Sequence, residues 1–478
     1  MNRHNIANQL EKKQWIAEWL LYIFAAECVF GGSGRWLCIG SLSIRILLFA
    51  LCFLATLPFV FLKRKQLLRN PCIVITIVFA IVVFVCLCIG IRNGNAFGFI
   101  WADASSFLAL SLLPGMFAVI DKKEKLMRLL NIIFYTSVCV AAVTMILHIG
   151  LAFMSDAATI AINDWINDRN LGGFTMLATG LNRVYFRAQI FLQFSAFYGA
   201  WKIWVSSKRR DRIALFICEG VMLFAIVVSY TRGFWIGLVC AAVIVLVLEW
   251  KHWKKLFCTA GISLIIVAIL SGISTLCYGQ PYLFIEIVNR FDSNLIVLSA
   301  DDEEKVAIPA PAPEQPLPEN EAPVKANEEC TEEEIDRVAA ANEIAVNLRK
   351  DSLAAMHEKI LQHLVIGNGL GTNLDGVRTD GKTEYMYQDI LMKMGVIGLI
   401  AFLATYFLYP LLHIVMRLKN SRKLIDVQNE IVRNSFLVAG YLSVAVTSAF
   451  NPFLSTPMGI LMLGVVNLAV YNKRKTSC

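Results

Sequence analysis

The sequence predicts an all-α, polytopic membrane protein of about 12 transmembrane helices, with one large extracytoplasmic loop that contains amphipathic helices. Three observations predict it. Hydrophobic residues make up 57% of the 478 and charged residues only 17%, a balance outside the range of soluble globular chains; mean hydropathy is +0.61. Apolar runs near the roughly 20 residues that a spanning helix needs recur along the chain. Lys and Arg gather in the short segments between those runs, which is the positive-inside pattern.

The runs lie near 15–31, 43–62, 71–91, 100–120, 130–153, 186–205, 213–230, 233–250, 256–277, 386–412, 433–450 and 455–471. Glu18 and Glu27 interrupt the first, and Asp103 the fourth. Basic clusters occur at Lys12-Lys13, at Lys63-Arg64-Lys65 with Arg69, at Lys122, Lys123, Lys125 and Arg128, and at Lys208-Arg209-Arg210 with Arg212. They recur at Lys251, Lys254 and Lys255, at Arg417, Lys419, Arg422 and Lys423, and at Lys473-Arg474-Lys475. With twelve runs, every cluster falls on one side. The positive-inside rule makes that side the cytoplasm and puts both termini there. Residues 1–14 are polar, and GGSGRW follows the first run where a cleavage site would need small-x-small, so this run is expected to stay as a helix. The net charge of +8 is the sum of these short basic loops and points to no nucleic acid.

Three regions follow: 1–277 with helices 1–9, 278–385 as the large outer loop, and 386–478 with helices 10–12. A second outer loop spans about 154–185. Within the large loop, 300–334 is rich in Pro, Ala and Glu and shows no periodicity, so it is expected to be a disordered insert. After it, Ile335, Val338, Ala339, Ile344, Val346, Leu353, Met356, Ile360 and Leu364 recur at helical spacing, which predicts an amphipathic helix over 335–363 at the membrane surface. No internal repeat of the kind that marks secondary transporters is visible.

The 13 Cys are scattered. Most, such as Cys52, Cys72, Cys86, Cys88, Cys139 and Cys240, lie in apolar runs and read as small hydrophobes. No spacing matches a zinc pattern, so neither a metal nor another cofactor is expected. Cys277 and Cys330 both fall on the outer side, and whether they pair is open.

Charged residues at the outer boundary carry the functional reading. Arg232, in SYTRGFWIGL, sits at the turn between the seventh and eighth runs. An arginine there snorkels or meets an anion, and guanidinium grips phosphate oxygens bidentately. Arg183 and Arg187, four apart in NRVYFRAQIF, are expected to share a helix face at the outer end of the sixth run. Arg290 follows the ninth run, and Arg349 opens a segment that reaches Leu399. Five arginines on the face where positive charge is normally depleted suggest a polyanionic, lipid-linked ligand. A diphosphate on a long isoprenoid fits.

Glu384 stands where the chain re-enters the bilayer, with Tyr385 adjacent and Asp389 five residues on. A partly buried carboxylate there can serve as a general base or complement a helix start. The six His form no constellation; His357 and His363 read as surface residues. The turn IGNGLGT (Ile366 to Thr372) lacks the strand and helix of a nucleotide loop and reads as a sharp turn into the membrane.

Three motifs in order resemble the O-antigen ligase/O-antigen polymerase superfamily of membrane glycosyltransferases. They are Thr231-Arg232-Gly233 at a hairpin, Arg349 followed by an amphipathic helix and Gly367-Asn368-Gly369, and Glu384-Tyr385 entering a helix with Gly395-Val396-Ile397-Gly398. The resemblance covers about 180–410 in motif and the whole chain in topology, and implies a GT-C-like fold. It implies transfer or polymerisation of undecaprenyl-diphosphate-linked oligosaccharide at the outer face of a bacterial inner membrane. The acceptor would be a glycan or lipid, and a chain-length regulator is an expected partner. On this view Arg232 and Arg349 hold the diphosphate, with Arg290, Arg187 and Arg183 secondary, and Glu384 accepts the acceptor's proton. Ligases of the family place His where this chain has Glu384, which shifts the reading toward polymerase. The alternative class is a transporter or flippase for lipid-linked oligosaccharide or small anions, which would put ionisable groups near mid-membrane within broken helices.

Overall fold

The computed structural model describes residues 3–39, 42–176, 182–279, 332–374, 377, 383–419 and 430–476. Arg290, Cys330 and all but the last three residues of the insert 300–334 lie outside the described residues.

Helices dominate: α1 (Arg3–Gly31), α2 (Ile44–Leu62), α3 (Arg64–Leu67), α4 (Pro71–Arg92), α5 (Phe97–Ser106), α6 (Leu113–Val119), α7 (Lys123–Leu151), α8 (Asp156–Asp168), α9 (Ile190–Val205), α10 (Arg209–Val227), α11 (Arg232–Leu248), α12 (Trp253–Tyr278), α13 (Glu332–Gln362), α14 (Met386–Lys419), α15 (Glu430–Thr447) and α16 (Pro457–Thr476). Local signals start and stop them. Ser43 caps α2 through Arg45 N, and Asn70 caps α4 through Cys72 N with Pro71 in the first turn. Gly279 ends α12 in the left-handed region.

All twelve apolar runs fall on helix, but not always on one helix. The fourth, around 100–120, is α5, a 3-10 turn (Leu108–Leu112) and α6. Among the described residues, six segments are long and apolar enough to cross a membrane: Ile44–Leu62, Pro71–Arg92, Phe97–Val119, Lys123–Leu151, Trp250–Tyr278 and Met386–Lys419. Arg232–Leu248 and Pro457–Tyr471 are apolar but shorter. Two short antiparallel strands, β1 (Cys38–Ile39) and β2 (Leu42–Ser43), follow α1. The loop 154–185 holds α8 and an antiparallel hairpin, β3 (Gly172–Met176) with β4 (Asn182–Phe186), in which Gly172 pairs with Phe186. Arg183 and Arg187 therefore do not share a helix face. Arg183 is on β4, and Arg187 opens a 3-10 turn (Arg187–Gln189).

α15 stands at the centre, with nearly every side chain buried. It packs against α9, α11, α14 and α16. Small residues permit the close approach, as in membrane bundles generally. A Cβ on Gly237 would press on Ser443 O, and one on Gly440 on Phe194 O.

Three of the basic clusters assigned to one side are tied to acids by ion pairs. Asp121 takes Lys63 at 2.9 Å and Lys125 at 3.1 Å. Glu18 takes Lys125 at 3.4 Å, Lys123 reaches Glu430 at 2.7 Å, and Arg417 reaches Glu249 at 2.7 Å. Three acids that interrupt the apolar runs are thus paired with cations: Glu18 here, Glu27 by Arg45 at 2.8 Å, and Asp103 by Lys393 at 2.9 Å.

Candidate active site at one end of the bundle

The turn before α11 is unusual. Tyr230 is fully buried and has φ of 47°, a left-handed conformation that an aromatic residue adopts only when its surroundings impose it. Arg183 braces this turn. Its Nε donates to Ser229 O at 2.6 Å and its Nη2 to Thr231 Oγ1 at 3.1 Å. The brace delivers Arg232, half-buried, as the first residue of α11. Arg183 is among the secondary diphosphate candidates of the sequence reading, and in the structure its Nε and Nη2 hold the turn that presents Arg232. Arg187 points elsewhere, donating from Nη1 to Ser33 Oγ at 3.2 Å near the end of α1. Between them, burial raises the Tyr185 phenol above its usual range while Arg183 and Arg187 pull it down.

The second half of the site comes from α13 and α14. Met356, Ile360, Leu374 and Met392 form a small apolar cluster that seats α13 on α14. The seating brings Arg349 to Glu384, with Nε 2.7 Å from Oε2. The pair is partly exposed, with Arg349 at 49% and Glu384 at 32%, so it is open to a ligand.

The glycine turn explains how Glu384 is held. α14 is not continuous: Gly395 has φ of 65° and ψ of −171°, a region that only glycine adopts without large strain. A broken helix leaves carbonyls on one side and N–H groups on the other without partners. The segment 363–371 supplies both. Asn368 N donates to Met392 O at 3.0 Å and Gly369 N to Lys393 O at 2.9 Å, while Val396 N donates to Leu364 O at 2.9 Å. The same turn docks on α4, where Leu370 N donates to Cys86 O at 3.0 Å and Asn95 Nδ2 to Leu370 O at 2.8 Å. A Cβ on Gly369 would overlap the backbone of Gly90, and one on Gly90 the backbone of Leu370. Turn and broken helix are one unit.

One feature of this unit escaped the sequence reading. Lys393 is buried, 2.9 Å from Asp103 Oδ1 and 2.9 Å from Asp389 Oδ1. Asp103 Oδ2 also accepts from Gly371 N at 2.7 Å. The signal was present: Asp389 and Lys393 are four apart, the order that favours an ion pair, and Asp103 in an apolar run requires a cation.

The two halves meet on the last turn of α15. Thr447 Oγ1 lies 2.9 Å from Gly233 O and 3.0 Å from Gln193 Oε1, and Tyr387 OH donates to Ala445 O at 2.9 Å. Gly233 follows Arg232, and Tyr387 is three residues from Glu384. The chain beside Arg232 and the chain beside Glu384 are therefore bonded to the same helix end. Such a site offers fixed cations for an anionic group and one carboxylate for a proton. Among the described residues, no group of three His, Cys, Asp or Glu could hold a metal ion.

Residues 220–403 match the family model described as O-antigen ligase, which supports the O-antigen ligase/polymerase superfamily. The matched span includes Arg232, Arg290, Arg349, the glycine turn and Glu384; Arg183 and Arg187 precede it. No curated protein matches the chain.

Proposed function

We propose, taking the O-antigen ligase match of residues 220–403 as the premise, that the protein is a glycosyltransferase of the bacterial inner membrane. It transfers or polymerises glycan from undecaprenyl diphosphate at the extracytoplasmic face, with both termini in the cytoplasm. The observation that carries the reading is the 2.7 Å contact of Arg349 with Glu384, with the chain beside Glu384 and the chain beside Arg232 bonded to the same end of α15.

The reaction needs a base and an electrophilic clamp. Glu384 takes the proton of the acceptor hydroxyl, and that oxygen attacks the anomeric carbon of the donor sugar. The bond from that carbon to the diphosphate oxygen breaks with inversion. Arg232 and Arg349 stabilise the charge that develops on the departing diphosphate. Arg349 thus sits between base and leaving group. Arg183, Arg187 and Arg290 are secondary ligands for the diphosphate, and Arg183 also supports the turn that presents Arg232. Glu384 in place of the family's His favours polymerisation, with a second lipid-linked repeat unit as acceptor and a chain-length regulator as partner.

The test is Arg232→Ala and Glu384→Gln in membranes with glycan length as readout. Loss of long-chain glycan is expected; unchanged length in Arg232→Ala overturns the clamp. One observation favours a transporter as the second reading: a buried lysine with two carboxylates beside a broken helix, the hallmark of ion-coupled carriers. Purified protein with lipid-linked donor separates the two, since an enzyme makes new glycosidic bonds and a carrier only moves the donor.

A further inference from the structure

Residues 386–394 lie between Glu384 and the break at Gly395. The break removes the continuous helical hydrogen bonding that would otherwise fix this segment to the membrane-embedded part of α14. Something else must set its position. The glycine turn fixes its end, through Met392 O and Lys393 O, but leaves rotation about the segment's own axis to side chains. Lys393 sets it together with Tyr387, whose OH donates to Ala445 O, and Met392, which packs in the apolar cluster with α13. Lys393 projects from the segment to Asp103 on α5 and to Asp389 one turn back. Asp103 in turn holds the turn through Gly371 N.

An ion cluster around a buried lysine and two half-buried carboxylates is a poor source of net stability, because desolvation, most of all of Lys393, offsets the attraction. What it supplies is a unique placement: any rotation or slide of the segment strands a buried charge. We infer that Lys393, with Asp103 and Asp389, is a positioning residue that fixes Glu384 against Arg349. The inference rests on the proposed role of Glu384, and it extends that role to three residues outside the proposed site. Lys393 touches no substrate. It acts through the orientation of the segment that begins two residues after Glu384.

Lys393→Met keeps the length and removes the charge; Lys393→Arg keeps the charge. In purified full-length protein, Lys393→Met is expected to lower kcat at least about tenfold, because small misplacements of catalytic groups are costly. The donor KM should stay within roughly twofold, since no binding contact is removed. Lys393→Arg should recover most of the turnover. A second readout is independent of activity. Cysteines placed by Arg349→Cys and Glu384→Cys are joined with a short bis-methanethiosulfonate reagent, and the linked peptides are quantified by mass spectrometry. The yield should fall several-fold when Lys393→Met is added and return with Lys393→Arg. If Lys393→Met does not fold, Asp103→Asn, which leaves the Lys393–Asp389 pair intact, is put through the same assays. Undiminished cross-linking overturns the positioning role. Diminished cross-linking with normal turnover supports the positioning role and overturns instead the assignment of Glu384 to the reaction.

Discussion

Arg349 and Glu384 illustrate how exposure separates chemistry from stability at a single contact. At 49% and 32% exposed, the pair contributes at most about 1 kcal/mol to folding. Its loss should therefore be a loss of function alone: Glu384→Gln is expected to cut turnover about 100-fold or more with an almost unchanged thermal unfolding midpoint in detergent. Arg417 is the opposite case. It meets Glu249 at 2.7 Å with both side chains buried, so Arg417→Ala strands a charge and should cost roughly 3–5 kcal/mol. The same unfolding assay checks it, and turnover per folded molecule should hold. Asp121 adds a pH dependence. Burial alone would raise its carboxyl, but Lys63 and Lys125 outweigh it and hold the group below the usual range. A depressed folded value means that the stability it contributes is present above about pH 4 and lost as pH falls through the folded value. Asp121→Asn should flatten the acid limb of a stability profile measured between about pH 5 and pH 2. At this scale the sequence was half legible. Arg349 and Glu384 stood out because charge at an apolar boundary is costly. Lys393 did not, because its two partners come from 290 residues away and from its own helix.

Elements were easier to read than residues. A run of apolar residues has to become a helix in lipid, where backbone groups find no water, so all twelve runs are helical. Breaks were harder. The fourth run hides a 3-10 turn at Leu108–Leu112, and the spacing of Arg183 and Arg187 suggested a helix because NRVYFRAQIF runs straight into one. The strand signal was the Val184, Tyr185 and Phe186 cluster, which the following apolar run masked. The Gly395 break was legible in part, as a Gly-x-x-Gly after a polar entry, but its reciprocal cap by residues 364–369 depends on a fold that brings the two together. The φ of 65° at Gly395 makes a direct prediction. Gly395→Ala should cost about 1–3 kcal/mol in unfolding free energy, and turnover should fall with it as residues 386–394 lose their orientation.

Across the whole molecule, polarity is sorted by end. The cytoplasmic assignment of one end rests on the basic clusters, three of which are tied to acids by the ion pairs of Lys63, Lys123, Lys125 and Arg417. Labelling checks it. Cys38 is exposed and should react with a membrane-impermeant maleimide on intact spheroplasts, whereas a cysteine introduced by Lys65→Cys in a Cys38→Ser background should react only after lysis. Reaction of the latter on intact cells would invert the topology.

The enclosure of α15 has a consequence for biogenesis. Its polar interior face, with Asn434, Ser443 and Thr447 fully shielded, suits a protein neighbour and not lipid tails. Yet the ribosome makes α15 and α16 after the helices that surround them. The earlier helices must therefore wait in the bilayer as an unfilled ring, and the site closes only when this late pillar slides into its slot.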